Sequence, residues 1–215
     1  MLTTLLLAAT VCVGELAAPY VSADFPSELR TPAGVQLLTG TGVRTRTVFK
    51  VKVYTFGLYV DADGARKALM QWRGKSAAEL SADPSVYQTL LNGSFPMTVR
   101  LVMSRDVSAA QMTEAFDDAL GPRVAQAAQR DMPGGAEASA RFLALFTTPL
   151  TRGTELLFTW SSDNRLVVSI GGRQVGAIDN HALAWALFDV YLGANPISPE
   201  GKRSVIARLP EVLGD

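Results

Sequence analysis

The stretch Gly40–Val60, GTGVRTRTVFKVKVYTFGLYV, constrains this chain most. Its β-branched and aromatic residues suit a pleated, half-buried surface, so it reads as a β-hairpin at the centre of a sheet. Alternation from Val48 puts Phe49, Val51 and Val53 on one face and Lys50, Lys52 and Tyr54 on the other. One face is expected to pack on helices and the other to stay partly open, with Lys50 and Lys52 forming a solvated surface. Arg44 sits beside Gly40 and Gly42, where backbones can approach closely. A guanidinium there could hold a carboxylate in bidentate fashion, and a surface salt bridge accounts for it equally well.

Before this hairpin, Pro26 and Pro32 flank a polar extended lead-in, and Val35–Leu38 reads as a short strand closed by Gly40 and Gly42. After it, Asp61–Gly64 is a turn and Ala65–Trp72 a short helix. Ser76 and Glu79 have capping-box spacing, and Asp83-Pro84 opens another helix that ends at Asn92-Gly93. Thr98–Met103 is a strand with Val99, Leu101 and Met103 on one face. Ser108 and Gln111 start a long helix to about Leu120, interrupted by Gly121-Pro122. Ala136–Phe146 is helical, and Thr154–Trp160 and Arg165–Ile170 form a hairpin through Ser161–Asn164. Asn180–Leu192 is a strongly apolar helix, and Ser198-Pro199-Glu200 caps a last one to Leu209. Strands separated unevenly by helical blocks indicate an α+β fold.

Twenty basic residues balance twenty acidic ones, and no long Lys/Arg run occurs, so neither nucleic acid nor an anionic membrane surface is an expected partner. The one cysteine, Cys12, lies in the apolar N-terminal run, and the one histidine, His181, has no Cys or His cluster around it. Metal sites and thiol chemistry are therefore not expected, no cofactor is implied, and a hydrolase triad would hang on that single histidine. His181, near a helix start, reads as a packed or capping residue. Asp117 and Asp118 are adjacent and so point to different sides of a helix. Gly40-Thr41-Gly42 begins like a dinucleotide fingerprint, but Thr45 takes the third glycine position and no helix follows, which leaves a tight turn. Ser162-Asp163-Asn164 without a Ser-x-x-Lys partner is a turn, and Asn92-Gly93-Ser94 is a formal glycosylation sequon in a helix-ending turn.

Leu2–Val13 is apolar or small throughout, shorter than the roughly 20 residues a bilayer-spanning helix needs. Val21-Ser22-Ala23 before Asp24 resembles a cleavage site, so residues 1–23 are expected to be a leader and residues 24–215 a single domain. An integral membrane protein is not expected.

Several stretches in order resemble the chalcone isomerase family. Gly42-Val43-Arg44 with Lys52–Val60 resembles its first hairpin, Trp72–Leu80 its WKGK-type helix start, and Asn92–Phe95 its GPF-like turn. The tail Ile197–Pro210 is the best match, and the similarity spans roughly Val35 to Leu213. The resemblance implies an open-faced β-sandwich, a large antiparallel sheet with a layer of helices on one face. It also implies an arginine on the first hairpin that holds the substrate oxyanion, kept here as Arg44. The family's catalytic strand threonine falls at Tyr54, with Thr55 a near miss. Its tyrosine falls at Met112, its asparagine at Ala119 and its second threonine at Val190, just before Tyr191.

That exchange replaces polar groups by thioether, methyl and isopropyl, so the family's cleft becomes an apolar tunnel with one cation at its end. The pattern resembles the non-catalytic, fatty-acid-binding branch. In that reading Arg44 anchors the carboxylate, Tyr54 and Tyr59 offer hydroxyls, and Met112, Ala119, Val190 and Tyr191 line the tunnel of a monomer. A chalcone isomerase-type intramolecular lyase and a ligand-free adaptor are the alternatives, and bacterial chalcone isomerase-like proteins are a further group of possible kin. The branch implies the plastid stroma, whereas the apolar leader points to a secreted or periplasmic protein.

Overall fold

The computed structural model describes residues 25–46 and 51–214. The Leu2–Val13 run, Cys12, Phe49 and Lys50 lie outside them. The chain runs β1 (Glu28–Thr31), β2 (Gly34–Arg46), β3 (Val51–Val60), α1 (Ala62–Ala68), α2 (Ala77–Ala82), α3 (Pro84–Leu90), β4 (Met97–Met103), α4 (Ala109–Ala128) and α5 (Gly135–Leu143). Then follow β5 (Glu155–Trp160), β6 (Arg165–Ile170), β7 (Arg173–Asp179), α6 (His181–Leu192), α7 (Pro199–Ser204) and α8 (Leu209–Leu213). The strands form one antiparallel sheet in simple sequence order, β1 to β7. The α+β, open-faced architecture expected from the sequence is the one observed.

The main core lies between the sheet and the helices. Phe56, Leu58, Val99, Leu101, Phe158 and Trp160 face it from the strands, and α6 is buried on every side, which explains its unbroken apolar sequence. The capping boxes at Ser76 and Ser108 form as read, and Asp83 caps α3 with Pro84 in its first turn. On the sheet's other face a small cluster gathers Phe25, Leu38 and Tyr59.

Five readings are corrected. The first strand does not close at Gly40: β2 passes through both glycines to Arg46. Gly40 does take a positive φ, 153°, but within a strand and not a turn. Its missing side chain lets the end of α7 lie on the sheet, where a Cβ would overlap the Ser204 carbonyl oxygen. A Cβ on Gly42 would come within 2.8 Å of the Gly201 Cα.

Second, the simple alternation holds on β3 for Lys52, which is exposed, and for Val53, which packs on the main core, but fails for Val51 and Tyr54. Arg44 pairs with Tyr54 but Thr45 pairs with Lys52, so Val53 is an inserted residue. The bulge turns Tyr54 toward the helices, with Phe56 and Leu58 beyond it, while Val51 is exposed. Third, α4 continues through Gly121-Pro122. Pro122 is on the exposed side, and the stripe Phe116, Leu120, Val124, Ala127 holds the helix down across it.

Fourth, the final helix is two: α7 ends at Ser204 and α8 begins at Leu209. Between them the Arg208 amide donates to the Thr39 carbonyl at 2.7 Å, which ties that turn to β2. Fifth, the lead-in contributes a strand, β1, and β7 follows β6 through Gly171 and Gly172, both at positive φ as a tight hairpin turn requires.

Candidate functional site

The hairpin that carries Arg44 forms one wall of a cavity of about 340 Å³, within the range of roughly 300–1,000 Å³ common for small-molecule sites. Arg44 and Tyr54 are direct cross-strand partners and both line it. The opposite wall is α4, where Met112, Phe116, Ala119 and Arg123 follow one another at helical spacing. Val190 of α6 and Ile197 complete the enclosure.

Five of the residues singled out in the sequence therefore meet in one cavity: Arg44, Tyr54, Met112, Ala119 and Val190. Tyr191 stands behind it, its hydroxyl 3.4 Å from that of Tyr54. Burial pushes both phenols above the ordinary tyrosine range, Tyr191 well above, although the Arg44 charge acts against the shift in each. Both remain protonated, and so able to donate a hydrogen bond, at any physiological pH.

Tyr59 is elsewhere. It lies on the face of the sheet away from the helices, packs with Phe25 and Leu38, and donates its hydroxyl to the Pro26 carbonyl at 3.0 Å. Burial pushes its phenol up to about 12. It reaches the wrong side because one residue of offset along a strand changes the face.

Arg44 is half-buried and donates from one terminal nitrogen to the Ile197 carbonyl at 2.7 Å. Arg123 donates to the Asn195 carbonyl, and Lys202 donates to the Gly193 carbonyl at 2.8 Å. The segment 193–197, which follows the end of α6, is thus held at three carbonyls by three cationic side chains. Cations are favourably placed near a helix C-terminus, where the peptide dipoles leave partial negative charge. Arg123 also pairs with the buried carboxylate of Asp189 at 3.0 Å.

The apolar tunnel with a single cation is corrected in one respect. The floor is apolar, but four arginines line the cavity: Arg44, Arg46, Arg105 and Arg123. Arg46 was legible, since it lies two residues beyond Arg44 on the same strand and therefore on the same face. Phe116 was likewise legible from Met112 by helical spacing, whereas Arg123 lies beyond the Gly121-Pro122 break at which the sequence reading ended the helix. Arg105, in the connection between β4 and α4, and the pairing of Arg123 with Asp189 carried no local signal. Asp118 lines the cavity whereas Asp117 is not among its lining residues.

Among the described residues no cluster of His, Cys, Asp and Glu has the makings of a metal site, and no helix is long and apolar enough to cross a membrane. His181 begins α6 and packs its ring 5.8 Å from that of Trp160.

A profile described as chalcone isomerase-like matches residues 23–205. A chalcone–flavanone isomerase from Oryza sativa subsp. japonica is 29% identical over 204 residues, covering 88% of this chain and 87% of that one. Fatty-acid-binding protein 2 of Arabidopsis thaliana is 27% identical over 195 residues, 87% of this chain and 49% of that longer protein. Among solved structures, a fatty-acid-binding protein of Arabidopsis thaliana superposes with a TM-score of 0.75 at 23% identity, covering 89% of this chain and 95% of the other, a likeness of fold.

Proposed function

The chain belongs to the chalcone isomerase-like family, and from that premise we propose that it binds a long-chain fatty acid without transforming it. The observation that carries this reading is a half-buried guanidinium, Arg44, in the wall of a cavity whose floor is Met112, Phe116, Ala119 and Val190. The carboxylate takes donors of Arg44 not directed at Ile197, and the acyl chain lies along the apolar floor, where each buried methylene contributes about 0.8 kcal/mol. The resemblance puts Met112, Ala119 and Val190 where isomerases carry tyrosine, asparagine and threonine. None of the three offers a hydrogen bond that could stabilise developing charge. Native mass spectrometry of protein purified from cells tests this: an added mass of a fatty acid is expected, and a bare chain under conditions that retain bound lipid contradicts it.

One observation favours a second reading, an isomerase-type intramolecular lyase. The Tyr54 and Tyr191 hydroxyls stand together beside Arg44 and stay protonated, so a phenol and a guanidinium face the same space. That pair could polarise a ketone oxygen and steer ring closure. Spectroscopic cyclisation of a 2′-hydroxychalcone discriminates: a rate above background that Arg44→Ala abolishes supports the lyase, and a rate equal to background removes it.

A further inference from the structure

We propose that the preferred ligand of this cavity is an acyl chain whose head group is a phosphate monoester, bound across Arg44, Arg46 and Arg105. The inference rests on the acyl-binding reading and specifies its head group. Strand periodicity puts Arg44 and Arg46 on the same face of β2, roughly 7 Å apart along the strand. Arg105 comes to the same mouth from the other side. The amide of Ser104 donates to the Val53 carbonyl at 2.9 Å, which holds the start of the β4–α4 connection against the bulge next to Tyr54.

The charges at this mouth are unbalanced. Arg123 is matched by Asp189 at 3.0 Å, but among the described residues Arg44, Arg46 and Arg105 form no ion pair with an acid. The nearest carboxylate by sequence, Asp106, accepts the Arg152 amide at 2.7 Å. Among the described residues one acid lines the cavity, Asp118, so three guanidinium groups face a single carboxylate there, on a chain whose overall charge is zero. Set against Asp118, the three guanidinium groups leave two positive charges, and a fatty acid, with one negative charge, leaves one of these unmatched. A phosphate monoester supplies about 1.5–2 negative charges and three acceptor oxygens, enough to engage all three.

The test is displacement of a fluorescent fatty acid from the full chain by palmitate and by 1-palmitoyl lysophosphatidate, in the wild type and in an Arg46→Gln/Arg105→Gln variant. Both substituted side chains are exposed, so the variant keeps its fold. Lysophosphatidate is expected to bind about tenfold more tightly than palmitate at low salt, with a gap that narrows as salt rises. In the variant the gap closes because lysophosphatidate loses far more affinity than palmitate does. Equal affinity of the two ligands for the wild type, or a variant that weakens both alike, overturns the proposal and leaves fatty-acid binding intact. Failure of both ligands to bind overturns the acyl-binding reading with it.

Discussion

Replacing Gly40 by alanine should destabilise the protein far more than a methyl group on a strand ordinarily would. At φ 153° a side chain is strained, and the added Cβ would overlap the Ser204 carbonyl oxygen at the end of α7. Strain of this kind costs about 1–3 kcal/mol. Moving α7 away also breaks two bonds to Thr39, in which its hydroxyl donates to the Val205 carbonyl and its carbonyl accepts the Arg208 amide. At about 1 kcal/mol each, these bring the expected loss to about 3–5 kcal/mol, a large share of the roughly 5–15 kcal/mol that holds a domain folded. Gly74 is the control, because its φ of 79° also disfavours a side chain but nothing lies within 4 Å of an added Cβ. Urea unfolding of the wild type, Gly40→Ala and Gly74→Ala separates conformational strain from steric overlap. A Gly40→Ala loss no larger than that of Gly74→Ala would refute the close approach of α7 to β2. Because Lys202 of α7 holds the Gly193 carbonyl, the same variant should loosen the cavity wall and weaken ligand binding.

Gly121 lies inside α4 with nothing beyond its chain neighbours and its own helix within 4 Å of an added Cβ. Gly121→Ala should therefore show part of the usual gain of about 0.5–1 kcal/mol in thermal or urea melts, less the crowding of that Cβ by the Pro122 ring. A fall instead would mean that the helix needs a bend there. Tyr59→Phe removes the bond to Pro26 and should cost about 1 kcal/mol of stability with no change in fatty-acid affinity, and a loss of affinity would contradict its place on the far face. Asp189 has its carboxyl raised by burial, against the attraction of Arg123, Arg130 and Lys202. The folded state therefore keeps its proton where the unfolded state has lost it. This contribution to stability is full below the unfolded value near 3.8 and declines as pH rises through the folded one. The stability of the wild type relative to Asp189→Asn should accordingly fall as pH rises from about 4, and a pH-independent difference would refute the assignment.

Local rules reached the element types because the hydrophobic periods, caps and turns agree with the fold. They failed where a tertiary contact decides. Gly40 and Gly42 look like a turn to any local rule, yet their purpose is to admit a helix that arrives more than 150 residues later in the chain. The inserted Val53 shifts the phase of β3, which no alternating pattern can reveal before the partner strand is known. Pro122 is an interior helix residue because the packing of its neighbours outweighs one missing amide. At the site, resemblance pointed to Arg44, Tyr54, Met112, Ala119 and Val190, and spacing on β2 and α4 would have added Arg46 and Phe116, while Arg123 lay past the expected break at Pro122. The bond between Arg123 and Asp189 joins two helices, and only the assembled chain shows it.

The most direct test of the fatty-acid reading is a calorimetric titration of palmitate into the wild type and Arg44→Ala. Arg44 is half-buried at the cavity wall and, among the described residues, makes one side-chain bond, to the Ile197 carbonyl, so its removal should spare the fold and take away the anchor for the carboxylate. Losing one partner of such a pair costs about 2–5 kcal/mol, so affinity should fall about thirtyfold or more. Undiminished binding by Arg44→Ala would contradict the account at its centre.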